Sequence, residues 1–371
     1  MPTRPRSRPA PFDPDAAAPP GAGIFGLPFT VEESRVVVVP VPCEATTSYR
    51  AGTARGPAAV LAASRQVDLH DRQTGSPYTQ GIAMEPMPAA LARRDREARR
   101  LALPILAAGG VLTTASQRQA LGRVNRCGEE TNAWVHARTA ALLGAGKLPV
   151  ILGGDHSAAF GSIQACAERH PGLGILHVDA HADLREAYEG FTWSHASIMF
   201  NVMSRIPAVA RLVQVGLRDV GRKEEQRIAG SGGRIVAFHD ADLALDLAGG
   251  KSFAALAAAI VRELPEAVYI SWDIDGLDPA LCPSTGTPVP GGLSWHQATL
   301  LLAALAGSGR RVVGMDLSEV APGPSTGSGP SGSSGPFGDE WDANVAARLL
   351  YKMIGFALLA NDTPPVSRRK R

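Results

Sequence analysis

The chain has 371 residues, a formal net charge of +2 and four cysteines. With 45% hydrophobic and 19% charged residues, it has the composition of a globular protein that can bury a sizeable core. The cysteines have no paired spacing, which argues against a disulfide framework or zinc knuckle and favours a reducing, cytoplasmic setting. The excess basic residues lie mostly at the two ends, without an aromatic or basic stripe, so no nucleic-acid partner is expected. No uninterrupted apolar run reaches about 18 residues, so no membrane span is expected.

The N-terminal third begins with a predicted flexible leader over residues 1–34, which is rich in proline, alanine and arginine and lacks the apolar centre of a secretory signal. A buried strand is predicted over 36–39, followed by a polar, glycine-rich loop over 46–57 and a helix over 57–64. The region 91–106 carries a cluster of arginines and acidic residues at helical spacing. We expect this cluster to form a solvated face or a subunit contact rather than an anion site.

Strands and helices alternate through the rest of the chain, which predicts an α/β fold with a mainly parallel sheet. Strands are predicted over 149–152, 174–178, 212–215, 234–238, 267–270 and 311–315, and helices over 133–143, 159–169, 253–263, 294–306 and 341–359. A Gly/Ser/Pro-rich insertion over 322–338 is either a mobile lid or only an insertion. We predict one catalytic domain over 35–362 and a basic C-terminal tail over 363–371.

Three short runs of aspartate and histidine each follow an apolar, β-favouring segment: Gly153-Gly154-Asp155-His156-Ser157, Asp179-Ala180-His181-Ala182-Asp183 and Ser271-Trp272-Asp273-Ile274-Asp275-Gly276-Leu277-Asp278-Pro279. The carboxyl ends of parallel strands meet at one edge of a sheet, where open α/β folds bind ligands. Carboxylates and imidazoles that converge there would repel one another unless a cation neutralised them. The pattern therefore predicts a dinuclear metal site.

Six residues of these runs are the predicted metal ligands: His156, Asp179, His181, Asp183, Asp273 and Asp275. Aspartate is also a favoured helix N-cap, but capping explains one such run better than three. We assign Asp155 and Asp278 to that capping or turn role, and His177, inside its strand, to the core or to support of a ligand. Carboxylate and imidazole ligands without a thiolate suit Mn²⁺ and tolerate Ni²⁺, Co²⁺ or Zn²⁺. Two such ions can share a water of lowered pKa, which predicts hydrolysis.

The three runs, in this order, resemble the signatures of the ureohydrolase family of arginase and agmatinase, from about Val36 to Gly355. The resemblance implies a three-layer α/β/α sandwich with a central, mainly parallel sheet of about eight strands. It also implies that the two ions share a pair of bridging aspartates. One ion would be held by His156, Asp179, Asp183 and Asp273, and the other by His181, Asp179, Asp273 and Asp275.

The same resemblance implies roles for three further residues. His195 corresponds to a proton-shuttling histidine at the cavity mouth, Glu319 to the carboxylate that pairs with a substrate guanidinium, and Thr287 to a residue of the substrate-side turn. From residue type alone, His195 is a ligand or a surface residue, and Glu319 caps a helix or forms an ion pair. Arg185 stands where arginases typically have asparagine, which makes the chain look more like agmatinase.

The function expected from this resemblance is hydrolysis of a linear guanidino compound, with agmatine as the first candidate, to urea and an amine by a metal-bridging hydroxide. Asp275 would take a proton from that hydroxide, and His195 would relay one to the departing amine. Guanidinobutyrate, guanidine, arginine and formiminoglutamate are alternative substrates. A metal-binding scaffold without activity and a metal-dependent deacetylase are alternatives of other kinds. The oligomeric states usual in this family imply a homo-oligomer, either a trimer or a hexamer.

Overall fold

The computed structural model describes residues 12–323 and 340–362. Within these ranges a single sheet contains eight strands, which we number in chain order. They are β1 Val36–Val41, β2 Ile82–Met84, β3 Leu148–Gly153, β4 Leu173–Val178, β5 Val209–Leu217, β6 Ile235–His239, β7 Ala267–Asp273 and β8 Arg311–Ser318. All pairings are parallel, and the strand order is β2-β1-β3-β8-β7-β4-β5-β6.

Helices connect the strands and cover the sheet. They are α1 Gly56–Ser64, α2 Ala89–Ala107, α3 Ala115–Gly144, α4 Phe160–Arg169, α5 Ile198–Arg205, α6 Arg222–Ala229, α7 Asp240–Ala248, α8 Phe253–Arg262, α9 Trp295–Ala306 and α10 Trp341–Asp362. One group of mutually packed helices contains α1, α8, α9 and α10, and another contains α2, α3, α4 and α5. The predicted arrangement of a parallel eight-stranded sheet between helices is confirmed.

Alternation along the strands shows why both faces of the sheet need a cover. On β7, Val268, Ile270 and Trp272 lie in one hydrophobic cluster, whereas Tyr269 lies in another. Successive side chains of a strand point to opposite faces, so a strand that is apolar at every position buries both of them. The sequence runs that we predicted as buried strands therefore occupy the centre of the sheet.

Several elements differ from the sequence prediction, and the short helices α5, α6 and α7 were not predicted at all. The helix predicted over 133–143 begins at Ala115, because Thr114 and Gln117 form a capping box that starts it much earlier. The three-residue edge strand β2 was not predicted, since a segment this short carries too few alternating positions.

Part of the predicted leader packs against the body of the protein. Ile24, Phe25 and Leu27 are buried in the same cluster as α1 and α10. The backbone N–H of Phe25 donates to Oγ of Ser64 at 2.9 Å, and its ring centroid lies 4.8 Å from that of Tyr351. This part of the predicted leader is therefore fixed rather than free, whereas the domain boundary at residue 34 stays a prediction.

Three remaining predictions concern the cysteines, the apolar helices and the chain ends. All four cysteines are free, as expected. Among the described residues, α10 is long and apolar enough to cross a membrane, but 78% of its apolar window is buried inside the protein, as in a core helix. The tail 363–371 and nearly all of the insertion 322–338 lie outside the described residues.

Candidate metal and substrate site

Four neighbouring strands in the middle of the sheet, β3, β8, β7 and β4, carry the candidate site at their carboxyl ends. The three Asp/His runs follow β3, β4 and β7, and Glu319 follows β8. These strands are far apart in the sequence but adjacent in the sheet. The strand order therefore brings the predicted residues to one edge.

The turn after β3 depends on a close backbone approach. A Cβ atom on Gly154 would lie 1.8 Å from the carbonyl oxygen of Cys43, so only glycine fits there. Asp155 accepts a hydrogen bond from the backbone N–H of Ser157 at 3.0 Å and caps the short turn that begins at His156. The predicted capping role of Asp155 is confirmed. The equivalent prediction for Asp278 is also confirmed, since its side chain accepts the N–H of Ala280 at 2.8 Å.

His156 lies fully buried at the centre of the first part of the cluster. Its Nδ1 atom is 3.2 Å from Oδ2 of both Asp179 and Asp183, and 3.5 Å from Oδ2 of Asp273. Its Nε2 atom faces the sheet instead, 2.9 Å from Oγ of Ser271. One ring nitrogen thus points at three carboxylates, while the other contacts the hydroxyl of Ser271 on the side of the sheet.

The second part of the cluster is built around His181. Its Nδ1 atom lies 3.1 Å from Oδ2 of Asp275 and 3.4 Å from Oδ1 of Asp179. The other oxygen of Asp275 accepts the backbone N–H of Ala180 at 3.0 Å, which ties the ends of β4 and β7 together. Asp273 accepts the N–H of Asp275 at 2.9 Å.

Two groups of potential ligand atoms share Asp179: His156, His177, Asp179 and Asp183 in one, and Asp179, His181 and Asp275 in the other. Within each group the atoms lie within 4.8 Å of one another. Asp273 belongs to neither group, although it lies beside His156. His177 joins the first group by position, but its Nε2 contacts Asp179 at 2.9 Å and its Nδ1 contacts Gln214 at 2.9 Å.

The pKa values of the carboxyl groups show that the cluster attracts positive charge. Burial and the neighbouring Asp275 raise the pKa of Asp273 well above its usual range. Burial and the charge of Asp179 raise the pKa of Asp183 to about 6. Burial alone would also raise the pKa of Asp179, but His177 and the hydrogen bonds of the other histidines lower it well below its usual value.

The pKa values of two histidines in the cluster are raised by the neighbouring carboxylates. Burial by itself lowers the pKa of His181, but hydrogen bonds with Asp179 and Asp275 outweigh it and raise this pKa to about 12. The pKa of His156 is raised in the same way by its carboxylate neighbours. Because buried carboxylates repel one another, they favour positive charge on His156 and His181, and divalent cations would satisfy the same demand. The donor set therefore fits divalent metal ions.

Glu319 joins the cluster through the backbone. Its Oε1 atom accepts the N–H of His156 at 3.0 Å, and its own N–H donates to the carbonyl of Gly154 at 2.7 Å. Its φ angle is +62°, in the left-handed region that side chains other than glycine rarely adopt. Burial and the nearby Asp155 raise the pKa of its carboxyl group well above its usual range. Glu319 is thus a buried carboxyl in a constrained backbone position.

His195 and Thr287 lie beside the cluster. Burial and the charge of His181 lower the pKa of His195 to about 4, so that its ring is neutral at pH 7. Its ring centroid lies 6.0 Å from that of Tyr188. Oγ1 of Thr287 donates to Oδ2 of Asp275 at 3.5 Å.

Several supporting residues received no role from the sequence: Gln214, Ser271, Thr285 and Asp316. Oγ of Thr285 donates to the backbone carbonyl of Glu319 at 2.8 Å. Oδ1 of Asp316 lies 3.5 Å from Nε2 of His156. Ser271 could have been found, since it precedes Asp273 by two positions and must share its face of β7. Gln214 lies on a different strand, and its residue type carries no such signal.

The chain is similar to known proteins over most of its length. The sequence profile of the arginase family matches residues 34–355. An N(1)-aminopropylagmatine ureohydrolase of Thermus thermophilus is 36% identical over 307 residues, which cover 81% of this chain and 87% of that protein. An agmatinase of Bacillus anthracis is 32% identical over 292 residues, covering 78% and 85%.

Among solved structures, the proclavaminate amidino hydrolase of Streptomyces clavuligerus superimposes with a TM-score of 0.67 at 22% identity, covering 93% of this chain and 100% of that one. This likeness shows the fold. The profile match and the sequence relatives confirm the resemblance seen in the three Asp/His runs, and the chain belongs to the arginase family.

Proposed function

We propose that this arginase-family hydrolase cleaves a linear guanidino compound, with agmatine as the first candidate, to urea and an amine. The observation that carries the proposal is the shared carboxylate of Asp179, which joins two groups of buried ligand atoms at one strand edge. An arrangement of this kind suits two ions placed side by side. Glu319 adds a buried carboxyl next to the same cluster.

The ligands of the two ions are proposed as the sequence predicted them. His156, Asp179, Asp183 and Asp273 would hold one ion, and His181, Asp179, Asp273 and Asp275 the other. The absence of a thiolate favours Mn²⁺, with Ni²⁺ or Co²⁺ also compatible. Such a pair of ions supplies a solvent nucleophile of lowered pKa near neutral pH. We assign His177 to support of Asp179, because both of its ring nitrogens already have protein partners.

Glu319 is proposed to bind and orient the substrate. A carboxylate can form two parallel hydrogen bonds with a planar guanidinium, which fixes the position of the electrophilic carbon. The positive charges of the substrate and of the metal ions would offset the burial that raises its pKa. Thr287, which already reaches Asp275, would contact the guanidinium from the opposite loop.

Proton movement is proposed for Asp275 and His195. Oδ2 of Asp275 faces His181 and would hold the proton released when solvent attacks the guanidinium carbon. His195 is neutral at pH 7, so its ring would accept a proton from solvent and pass it to the departing amine. The C–N bond breaks as that nitrogen is protonated, which leaves urea and the free amine.

A second candidate substrate is N(1)-aminopropylagmatine, which carries the same guanidinium on a longer cationic tail. It is favoured by the Thermus thermophilus relative, whose identity of 36% exceeds the 32% of the agmatinase. Guanidinobutyrate, guanidine and arginine share the guanidino group, whereas formiminoglutamate carries an amidine in its place. A cytoplasmic location and a trimeric or hexameric assembly remain proposals. The deacetylase alternative is not supported by the family match.

The test is a urea-release screen with protein loaded separately with Mn²⁺ and Ni²⁺. It compares agmatine, N(1)-aminopropylagmatine, guanidinobutyrate and arginine, with formiminoglutamate followed by release of its own product. We expect kcat/KM to be highest for one of the first two. Absence of turnover on every compound with either metal would favour a non-catalytic scaffold.

Two variants test the roles of the site residues. Asp275→Asn should lower kcat by about 10²-fold or more, since general-base contributions are of this size. Glu319→Gln should lower kcat/KM by about 10- to 100-fold, the effect of weakening a charged hydrogen-bonded pair. Asp278→Asn removes a carboxylate of the same loop that only holds a turn, and it serves as the matched control. Equal activity of Asp275→Asn and Asp278→Asn would contradict the mechanism.

A further inference from the structure

A cavity of about 620 Å³ lies between the segment that follows β1 and the first half of α2. It is separate from the Asp/His cluster and lies in the region where the sequence predicted a solvated face or a subunit contact. Four arginines contribute to its wall: Arg55, Arg96, Arg99 and Arg100. Two acidic residues, Glu44 and Asp95, complete the charged lining.

The carboxylates of both acidic residues in the cavity accept hydrogen bonds from backbone N–H groups. Oε2 of Glu44 accepts from Gly52 at 2.6 Å and from Ala54 at 3.3 Å. Oδ1 of Asp95 accepts the N–H of Glu44 at 2.9 Å. Burial raises the pKa of Asp95 to about 7, which further reduces the negative charge in the cavity near neutral pH.

The guanidinium groups of the arginines have fewer hydrogen-bond partners in the protein. Arg99 donates to the backbone carbonyls of Ala45 and Thr47. In the part of the chain that the structure describes, Arg55, Arg96 and Arg100 form no side-chain hydrogen bond or ion pair. Three guanidinium groups without protein partners thus surround one concave space, which concentrates positive potential there.

We propose that this cavity binds a small anion bearing phosphate or carboxylate groups, held between Arg55, Arg96 and Arg100. The planar guanidinium group presents paired N–H donors, which can form two parallel hydrogen bonds with two oxygens of a carboxylate or a phosphate. The volume admits a molecule larger than one inorganic phosphate, so a small organic anion such as a di- or tricarboxylate also fits.

The cavity is mechanically connected to the candidate active site through the loop over residues 44–55. Glu44 and Arg99 hold this loop from the cavity side. On its other side, Nη1 of Arg50 donates to the carbonyl of Pro283 at 2.9 Å. Directly after the loop, a Cβ on Gly56, the first residue of α1, would lie 2.2 Å from the carbonyl oxygen of Val320, next to Glu319. An anion that fixes the cavity arginines therefore orders the loop that borders the substrate site.

The binding test uses isothermal titration calorimetry on metal-loaded protein, with inorganic phosphate in one arm, citrate in the other and sodium chloride at matched ionic strength. The double variant Arg96→Gln/Arg100→Gln removes two charges from the cavity. Arg93→Gln/Arg118→Gln removes two exposed charges that do not line it and is the matched control. We expect at least about tenfold weaker binding in the cavity variant and unchanged binding in the control.

Absence of binding up to about 10 mM of either anion, or equal affinity in the two double variants, would overturn the proposal. The second outcome would also reveal an anion bound only at the metals. Hydrogen exchange tests the connection to the loop. The amides of Gly52 and Ala54 should become more protected on binding in the wild type and the control but not in the cavity variant. Unchanged protection in the wild type would refute the connection. Neither readout depends on catalytic activity, so failure here is distinct from failure of the proposed function.

Discussion

The crossing of α3 and α4 at Gly161 offers a sharp test of how packing positions the candidate site. A Cβ atom on Gly161 would lie 2.2 Å from the carbonyl oxygen of Asn132 and 2.7 Å from the backbone nitrogen of His136. Both neighbours belong to the backbone of α3, so no side-chain rotation can relieve the clash. Gly161→Ala therefore forces the two helices apart by about 1 Å.

The expected cost follows from this displacement. Overpacking of a dense core usually costs about 1–3 kcal/mol, and a backbone contact belongs at the upper end. The higher helix propensity of alanine offsets up to about 1 kcal/mol of this loss in the free energy of unfolding. We therefore expect Gly161→Ala to lower the free energy of unfolding by about 2 kcal/mol. Since α4 begins directly after the turn His156–Ala159, the affinity for Mn²⁺ should fall as well.

Urea unfolding monitored by circular dichroism measures this effect, with Gly144→Ala as the matched control. Gly144 ends α3, and a Cβ there meets no atom within 4 Å. The control should be unchanged or stabilised by up to about 1 kcal/mol. If the two variants unfold within about 0.5 kcal/mol of each other, the argument from the helix crossing is refuted.

Two further predictions concern hydrogen bonds and pH. Ser271→Ala removes the nearer of the two side chains beside Nε2 of His156, so the affinity for Mn²⁺ measured by titration should fall by about 10- to 100-fold; an unchanged affinity would contradict this supporting role. Asp71→Asn removes a carboxylate whose Oδ2 is 2.6 Å from Nζ of Lys352 and should cost up to about 1 kcal/mol at pH 7. Burial by itself would raise the pKa of Asp71, but Lys352 and nearby N–H groups outweigh burial and lower the folded-state pKa below 3.8. The ion pair therefore stabilises the folded protein above pH 3.8, and this stabilisation is lost as the pH falls through the lowered pKa. Below that pH, wild type and Asp71→Asn should have the same free energy of unfolding. A difference that stays constant with pH would refute the stabilising role of the ionised Asp71.

Much of the candidate site could be predicted because its signals are local. Acidic residues and histidines at alternate positions, directly after an apolar run, indicate the carboxyl end of a buried strand, and this identified Asp179, Asp183, Asp273 and Asp275. Capping is also local, and the turn roles of Asp155 and Asp278 follow from residue type and the positions after them.

The roles of His195 and Glu319 came only from the family resemblance. Neither residue type nor spacing distinguishes a site histidine from a surface one. The neutral state of His195 depends on burial and on the charge of His181, and the position of Glu319 depends on a hydrogen bond to a residue 163 positions away. Such contacts appear only when the chain is folded.

By itself, the sequence determined which segments become buried strands and which side chains stand at their ends, because alternation and turn chemistry act over a few residues. Only the tertiary structure decided that β3, β8, β7 and β4 lie side by side, that residues 24–27 pack into the core, and that three arginines of α2 (Arg96, Arg99 and Arg100) line a cavity. These features arise from packing between distant segments, where shape and burial select the partner and no local pattern records the choice.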